Sequence, residues 1–171
     1  RVRNSITPKM DAIALDFCIE MEKYGIVSVP IPTNESQWDK NTGRWRSLIS
    51  LKHAAQEAGL GTIGRHSLLM TPEFGSMLWL GAVLCEAELE PDEKKERVCS
   101  DCGLCVQVCP VNALKELEIN QQKCWDYAFG DDEELQTWRI RCHQCRDICP
   151  YCLGKENAIL QSRVENRGDK E

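Results

Sequence analysis

No stretch of this sequence stays apolar long enough to cross a bilayer. The longest such run, Met77 to Cys85, falls well short of the ~20 residues that a spanning helix needs. The opening residues also lack the charged, then apolar, then small-residue succession of a secretory signal, so a cytoplasmic protein without membrane association is expected. The chain opens at Arg1 instead of Met, as a piece of a longer protein would. An excess of basic charge is missing too, the net charge being -6. Residues 1–53 hold eight basic and six acidic side chains, and residues 54–171 hold thirteen and twenty-one. An acidic second part argues against a nucleic-acid surface there and suits either a solvated face or docking of a basic partner. The remaining composition, 42% hydrophobic and 28% charged, is that of an ordinary globular chain.

What the sequence does have is cysteine: eleven, nine of them after position 98. Before that point the chain reads as α/β. Thr7-Pro8 predicts a helix start, with Met10, Ile13, Ala14, Phe17 and Met21 as its core stripe and Gly25 as its stop. A strand at 26–29 ends at Pro30 and Pro32, and a polar loop runs from Thr33 to Arg44 around Trp38. A second helix is expected over about 45–58, with Leu48, Ile49, Leu51 and Ala55 facing inward. Strands follow at 67–70 and 77–85, separated by the turn 71–76. The charged stretch 86–97 is the best domain boundary. The division is then 1–90 for the α/β region, 97–155 for the cysteine module and 156–171 for a polar tail. Cys18 and Cys85 lie in apolar segments and are expected to pack as small hydrophobes.

The first cysteine block, CSDCGLCVQVCP, places Cys99, Cys102, Cys105 and Cys109 at the C-x2-C-x2-C-x3-C-P spacing of bacterial ferredoxins. Three cysteines two residues apart let a tight loop wrap one corner of a [4Fe-4S] cubane. The fourth, expected to start a helix, points to a second cluster. The second block, CHQCRDICP, repeats the last three positions with Cys142, Cys145 and Cys149, and the missing first position falls on Arg139. Cys124 is the substitute between the blocks. Crossing over gives Cys99, Cys102, Cys105 and Cys149 for cluster 1, and Cys109, Cys124, Cys142 and Cys145 for cluster 2. A zinc site of two CxxC pairs would strand four well-spaced cysteines, and disulfides lack the secretory context. Cys152 fits neither set. Arg139, Arg141 and Arg146 are either compensating charge for the clusters or plain surface arginines.

Gly59-Leu60-Gly61-Thr62-Ile63-Gly64 fits G-x-G-x-x-G, but a helix precedes it and a strand follows, the reverse of a dinucleotide site. The longer stretch Ala58-Gly59-Leu60-Gly61, Ile63-Gly64-Arg65, Leu68-Leu69, Gly75-Ser76, an apolar strand and then the ferredoxin block resembles the epoxyqueuosine reductase family and its relatives, the corrinoid-dependent reductive dehalogenases. The resemblance spans about residues 10–152. It implies an α+β fold, with a partial nitroreductase-like α/β layer followed by a two-cluster ferredoxin-like module. It also implies cobalamin as a further cofactor, with Gly59, Gly61, Gly64 and Arg65 as a corrinoid-side loop, and a cluster arrangement that matches the sets above. A redox partner protein would supply electrons, and a tRNA substrate comes from the resemblance alone. The family's acidic V-D-[ST]-like segment before the glycine loop has no counterpart here, and Glu35 and Asp39 are the acids in that stretch. His53 and His66 are candidates for a corrinoid or substrate role, or are simply packed or surface histidines, and His143 is expected to hydrogen-bond near cluster 2. The function expected is an iron–sulfur reductase passing single electrons to a corrinoid-type or similar centre. The alternative is a ferredoxin-like carrier whose α/β part docks partners.

Overall fold

The computed structural model describes residues 2–34, 36–115, 118–132 and 137–155. Helix α1 (Val2–Glu22) begins before Thr7, so Pro8 lies inside it and not at its first position. A proline there forfeits one backbone hydrogen bond without ending the helix. The helix stops as expected at Gly25, whose φ of +71° suits the left-handed exit. Its buried stripe differs from the expected one. Ala14 and Cys18 are buried and Met10 and Met21 half-buried, whereas Ile13 and Phe17 are 53% and 52% exposed. The packing partner explains the shift: α1 lies on a narrow pair of strands, which covers only one edge of the helix.

That pair is β1 (Ser28–Ile31) and β6 (Ala82–Cys85), antiparallel, with Pro30 opposite Val83. β1 continues through Pro30, contrary to the expected stop, because a two-stranded sheet has only edge strands, where a missing N–H is tolerated. Every sheet among the described residues has two strands. The stretch expected to be a loop contains a hairpin, β2 (Gln37–Asp39) and β3 (Arg44–Arg46). Asp39 organises its turn: its carboxylate accepts from the Asn41 N–H (2.9 Å) and the Thr42 hydroxyl (2.8 Å), and Gly43 takes φ +63°. Trp38 then faces Trp45 edge-on at 5.4 Å. With Trp45 committed to this hairpin, helix α2 is short (Leu51–Glu57). Leu48, expected inside, is 81% exposed.

Strands β4 (Thr62–Ile63) and β5 (Leu69–Met70) pair across the segment that carries Arg65 and His66. The turn 71–76 is closed by Thr71 and Gly75, which exchange both backbone hydrogen bonds (3.0 and 2.8 Å). The charged stretch 86–97 has no regular structure, and the backbone of Asp92 and Glu93 lies against Gly59. The cysteine module follows: α3 (Leu104–Gln107), the pair β7 (Leu114–Lys115) and β8 (Glu118–Ile119), α4 (Gln121–Ala128), the pair β9 (Phe129–Asp132) and β10 (Thr137–Ile140), and α5 (Gln144–Asp147). Helices α3 and α5 pack together. Cys109 therefore follows a helix instead of starting one, because α3, with Gly103 (φ +77°) at its N-cap, has already ended at Gln107. The expected tail, 156–171, lies outside the described residues.

Two contacts fasten the parts together. The segment after Cys149 runs across the turn 71–76: Ser76 N–H donates to the Cys152 carbonyl (2.9 Å) and Lys155 N–H to that of Pro72 (2.8 Å). This contact requires glycine twice. A Cβ on Gly75 (φ +57°) would strike the Tyr151 carbonyl, and one on Gly154 (φ +95°) would come within 2.5 Å of the Pro72 and Glu73 carbonyl oxygens. The second contact is aromatic. Trp45 packs on Trp125 at 4.3 Å, and Trp125 stacks on Phe129 at 4.2 Å.

Candidate metal centre

The loop that carries Cys99 and Cys102 is anchored by Val98, 2% exposed, and closed by an ion pair from Arg97 to Asp101 (2.6 Å). Cys105 enters from α3 and is buried. Cys149 arrives from the far side of α5. These four thiols, with Arg65, His66 and Met70, line one cavity of about 330 Å3 of atom-free space. A second cavity, of about 430 Å3, is lined by Cys109, Cys124, Cys142 and Cys145, again with His66. Each group of four draws on both blocks. Among the described residues no three His, Cys, Asp or Glu side chains converge as a single ion requires.

Cys124 reaches its cavity because α4 is started at the right place. Asn120 caps the helix, its side chain accepting from the Lys123 N–H (3.0 Å), an arrangement worth about 1 kcal/mol. Gln121 ties the same turn to the first hairpin by accepting from the Trp45 N–H (2.6 Å). Cys109 is fixed differently, its sulfur accepting from the Ala113 N–H (3.2 Å).

The thiols influence one another in the same two groups. Burial raises the Cys105 pKa, and the charges of Cys99 and Cys102 add to it. Cys149 is pushed up to about 11, first by burial, with Cys152, Cys99 and Cys102 contributing like charge. Burial also raises Cys124, followed by Cys109 and Cys142. Cys145 rises to about 11 through burial, then Cys124, Cys142 and, across the boundary, Cys105. Arg146 opposes this last shift, so one of the three expected arginines does place its charge near the thiols. Arg141 packs over Gly130, and nothing is described of the Arg139 side chain. Cys152 lines neither cavity. Its backbone N–H closes the turn onto the Cys149 carbonyl (3.0 Å).

An iron–sulfur cluster fits these residues on chemical grounds. The donors are all thiols, four around each cavity, and the walls are largely apolar. Two buried ring and guanidinium nitrogens have no partner among the described residues: Nε2 of His66, which lines both cavities, and Nε of Arg65, which lines the first. A thiolate or sulfide would supply the missing acceptor. Burial, helped by the Arg146 charge, lowers the His66 pKa to about 4, so the ring is neutral at neutral pH in the metal-free chain.

The other candidates are placed as follows. Gly59 and Gly61 admit no Cβ because the protein's own backbone fills the space, that of Asp92 and of Met70 respectively. Gly64 leaves room for Met70 and for the His66 ring. Among the four loop residues named, Arg65 alone borders a thiol-lined cavity. His53 is exposed and pairs with Ser50 (2.7 Å), His143 is exposed at the start of α5, and Glu35 lies outside the described residues. Asp39 serves its hairpin. Sequence reasoning missed the part played by Trp125 and Phe129. The signal was two aromatics four residues apart, Trp125 in α4 and Phe129 just past its C-terminus, where β9 begins.

These features define an iron–sulfur protein of ferredoxin type, and comparison with known proteins agrees: residues 94–115 match the 4Fe-4S binding domain family. The chain is also epoxyqueuosine reductase-like. It is 35% identical over 129 residues to an epoxyqueuosine reductase of Prochlorococcus marinus (strain NATL2A), covering 66% of this chain and 41% of the relative. It is 33% identical to that of Listeria monocytogenes, covering 60% and 29%. The structure of epoxyqueuosine reductase from Streptococcus thermophilus shares the fold, with a TM-score of 0.61 at 24% identity over 89% of this chain and 40% of that one. An epoxyqueuosine reductase solved with an epoxyqueuosine-modified tRNA-Tyr stem loop gives 0.57 at 25% identity, covering 80% and 36%. The chain therefore spans about two fifths of the length of the first of these relatives. No described helix is long and apolar enough to cross a membrane.

Proposed function

We propose that this chain binds two [4Fe-4S] clusters, cluster 1 on Cys99, Cys102, Cys105 and Cys149 and cluster 2 on Cys109, Cys124, Cys142 and Cys145, and relays single electrons within an iron–sulfur reductase. The observation that carries this reading is the division of eight cysteines into two non-overlapping groups of four around two separate cavities. Shared walls support electron transfer between them: His66 borders both, and the Cys105 charge is felt at Cys145. Bound clusters would supply one-electron chemistry there, and the eight thiolates with the buried N–H groups of Arg65 and His66 would hold the added charge. A redox partner protein supplies the electrons, in the reducing cytoplasm where free thiols persist.

The acceptor in this proposal is a corrinoid-type or similar reductive centre, and the substrate class is the epoxyqueuosine of tRNA. The substrate class follows from the likeness to proteins with that name, one of them solved with an epoxyqueuosine-modified tRNA stem loop, and the corrinoid from the family resemblance of the glycine-loop stretch. The partial nitroreductase-like layer would be α1 with the β1–β6 pair. At the glycine loop the protein's own backbone fills the space beside Gly59 and Gly61, so this loop offers no cradle for a corrin ring. Anaerobically prepared protein should hold about eight iron and eight sulfide per chain. A count near four would mean that one ligand set is wrong. Spectral titration with cobalamin tests the acceptor separately, and the absence of binding would remove it.

One observation favours a second reading, a ferredoxin-like carrier with a docking α/β part. Ile13 and Phe17 on one side of α1, Leu15 and Ile19 on the other, and Val27 and Val29 are each about half exposed or more, apolar side chains open to a partner. Turnover of epoxyqueuosine-containing tRNA by the protein alone would exclude a carrier as the whole account.

A further inference from the structure

We propose that His66 is a hydrogen-bond donor to the iron–sulfur pair, presented by the glycine loop between the two cavities, and that it sets the clusters' reduction potentials. The proposal rests on the two-cluster reading above. His66 is the one residue common to the linings of both thiol cavities among the described residues. It is 3% exposed. Its Nδ1 accepts the Leu68 N–H (3.2 Å), which leaves the ring proton of the neutral imidazole on Nε2. Nε2 is itself buried and finds no partner among the described residues. An imidazole fixed in one tautomer, lining two thiol cavities with its single donor unsatisfied among the described residues, is arranged to serve an acceptor bound there.

The surrounding loop holds this geometry at a cost. Gly64 lies against the ring: a Cβ there would come within 3.1 Å of the imidazole Cε1 and 2.7 Å of the Met70 sulfur. The next residue, Ser67, adopts φ +64°, a conformation unfavourable for a side chain larger than glycine's. It is held there from two sides. The half-buried Lys52 donates to both its carbonyl (2.9 Å) and its hydroxyl (2.6 Å), and its own N–H donates to the Gly64 carbonyl (2.8 Å). Strained backbone locked by several bonds beside a reactive group is a feature of functional sites. The motif that looks like a dinucleotide loop therefore acts as a mount for a histidine.

A cluster that gains an electron gains one negative charge, so an N–H···S bond favours the reduced form over the oxidised one and raises the potential. One electron enters, no bond breaks, and the proton stays on Nε2. One donor cannot serve both clusters equally, so the two couples should respond unequally.

The test is an EPR-monitored redox titration of the fully loaded chain, with dithionite as reductant. In His66→Leu, the reduced-to-oxidised ratio of at least one cluster at a fixed applied potential should fall about tenfold, a shift of about 59 mV for a one-electron couple. His66→Gln, which keeps an N–H donor, should recover most of that ratio. Unchanged couples in a fully loaded His66→Leu chain would overturn the proposal, as would equal losses in both variants. If the leucine variant loads poorly, a chain with His53→Gln and His143→Gln leaves His66 as the only histidine. Labelled with 15N-histidine and reduced, it should show 15N and exchangeable-proton couplings at a cluster in pulsed EPR, and their absence overturns the proposal. The native iron count keeps the two failures apart. Four iron per chain would sink the two-cluster reading, whereas eight iron without a histidine effect would sink only this inference.

Discussion

The two cysteine blocks are nearly superimposable in their hydrogen bonding and differ in where each finds its remaining thiol. In the first, Val106 and Gln107 donate to the Gly103 carbonyl, Val108 to Leu104, Cys109 to Val106 and Asn112 to Cys109. In the second, Arg146 and Asp147 donate to His143, Ile148 to Gln144, Cys149 to Arg146 and Cys152 to Cys149. Cys105 and Cys145 thus occupy equivalent helix positions, and Cys152 is the counterpart of Asn112, which accounts for a cysteine outside both sets. The blocks part company upstream. Cys99 arrives from an irregular loop anchored by Val98, whereas the matching position, Arg139, lies in strand β10 opposite Gly130. Once that position joins a strand, the cavity takes its thiol from another element, α4. A group of thiols is therefore defined by the cavity it reaches, and the order of cysteines along the chain is only one way to fill it.

The sharpest way to break this comparison is to remove the unmatched thiols. Cys124→Ser should reduce bound iron from about eight to about four per chain and leave cluster 1 intact, and Cys99→Ser should leave cluster 2 instead. Iron analysis with EPR of the reduced protein distinguishes the two, and loss of all iron in Cys124→Ser would contradict independent sets. A smaller effect is expected at the strap that brings Cys149 to the first cavity. Gly75→Ala forces a Cβ onto φ +57° and into the Tyr151 carbonyl. It should cost about 1–3 kcal/mol from the backbone alone, read by denaturant unfolding, and should weaken cluster 1 before cluster 2.

Protonation separates the loaded from the empty chain. Cys145 and Cys149 have pKa values raised from 9.0 to about 11. Below pH 9 both the folded and unfolded chains keep these thiols protonated, so the stability is complete. Between about 9 and 11 only the unfolded chain ionises, so the metal-free protein should lose stability across that window. Cluster-loaded protein, whose thiolates are already bonded to iron, should not show this loss in the same thermal melts. The smallest effect belongs to the exposed Arg97–Asp101 pair beside the first block. Arg97→Ala should shift stability by less than about 1 kcal/mol.

The contrast between what was legible and what was not follows the range of the interactions. The spacing of Cys99 to Pro110, the repeated C-P endings, the left-handed stop at Gly25 and the charged stretch 86–97 are local patterns, and each reads directly from a few neighbouring residues. The hairpin 37–46 was hidden because its strands are short, and its turn depends on Asp39 bonding to Asn41 and Thr42. The burial of Ala14 and Cys18 in place of Ile13 and Phe17 depends on the narrow β1–β6 pair that α1 covers.

By itself the sequence determined that the chain carries iron–sulfur cysteine spacing, that the second block has Arg139 where that spacing puts its first cysteine, and that the chain resembles the epoxyqueuosine reductases. These are matters of residue type and interval. The tertiary structure alone decided that Gly75 and Gly154 let the last cysteine segment lie on a turn some eighty residues upstream in the chain, and that His66 lines both thiol cavities with an N–H unpaired among the described residues. Such contacts join segments far apart in sequence, and close packing and the need to satisfy buried donors settle them only once the chain has folded.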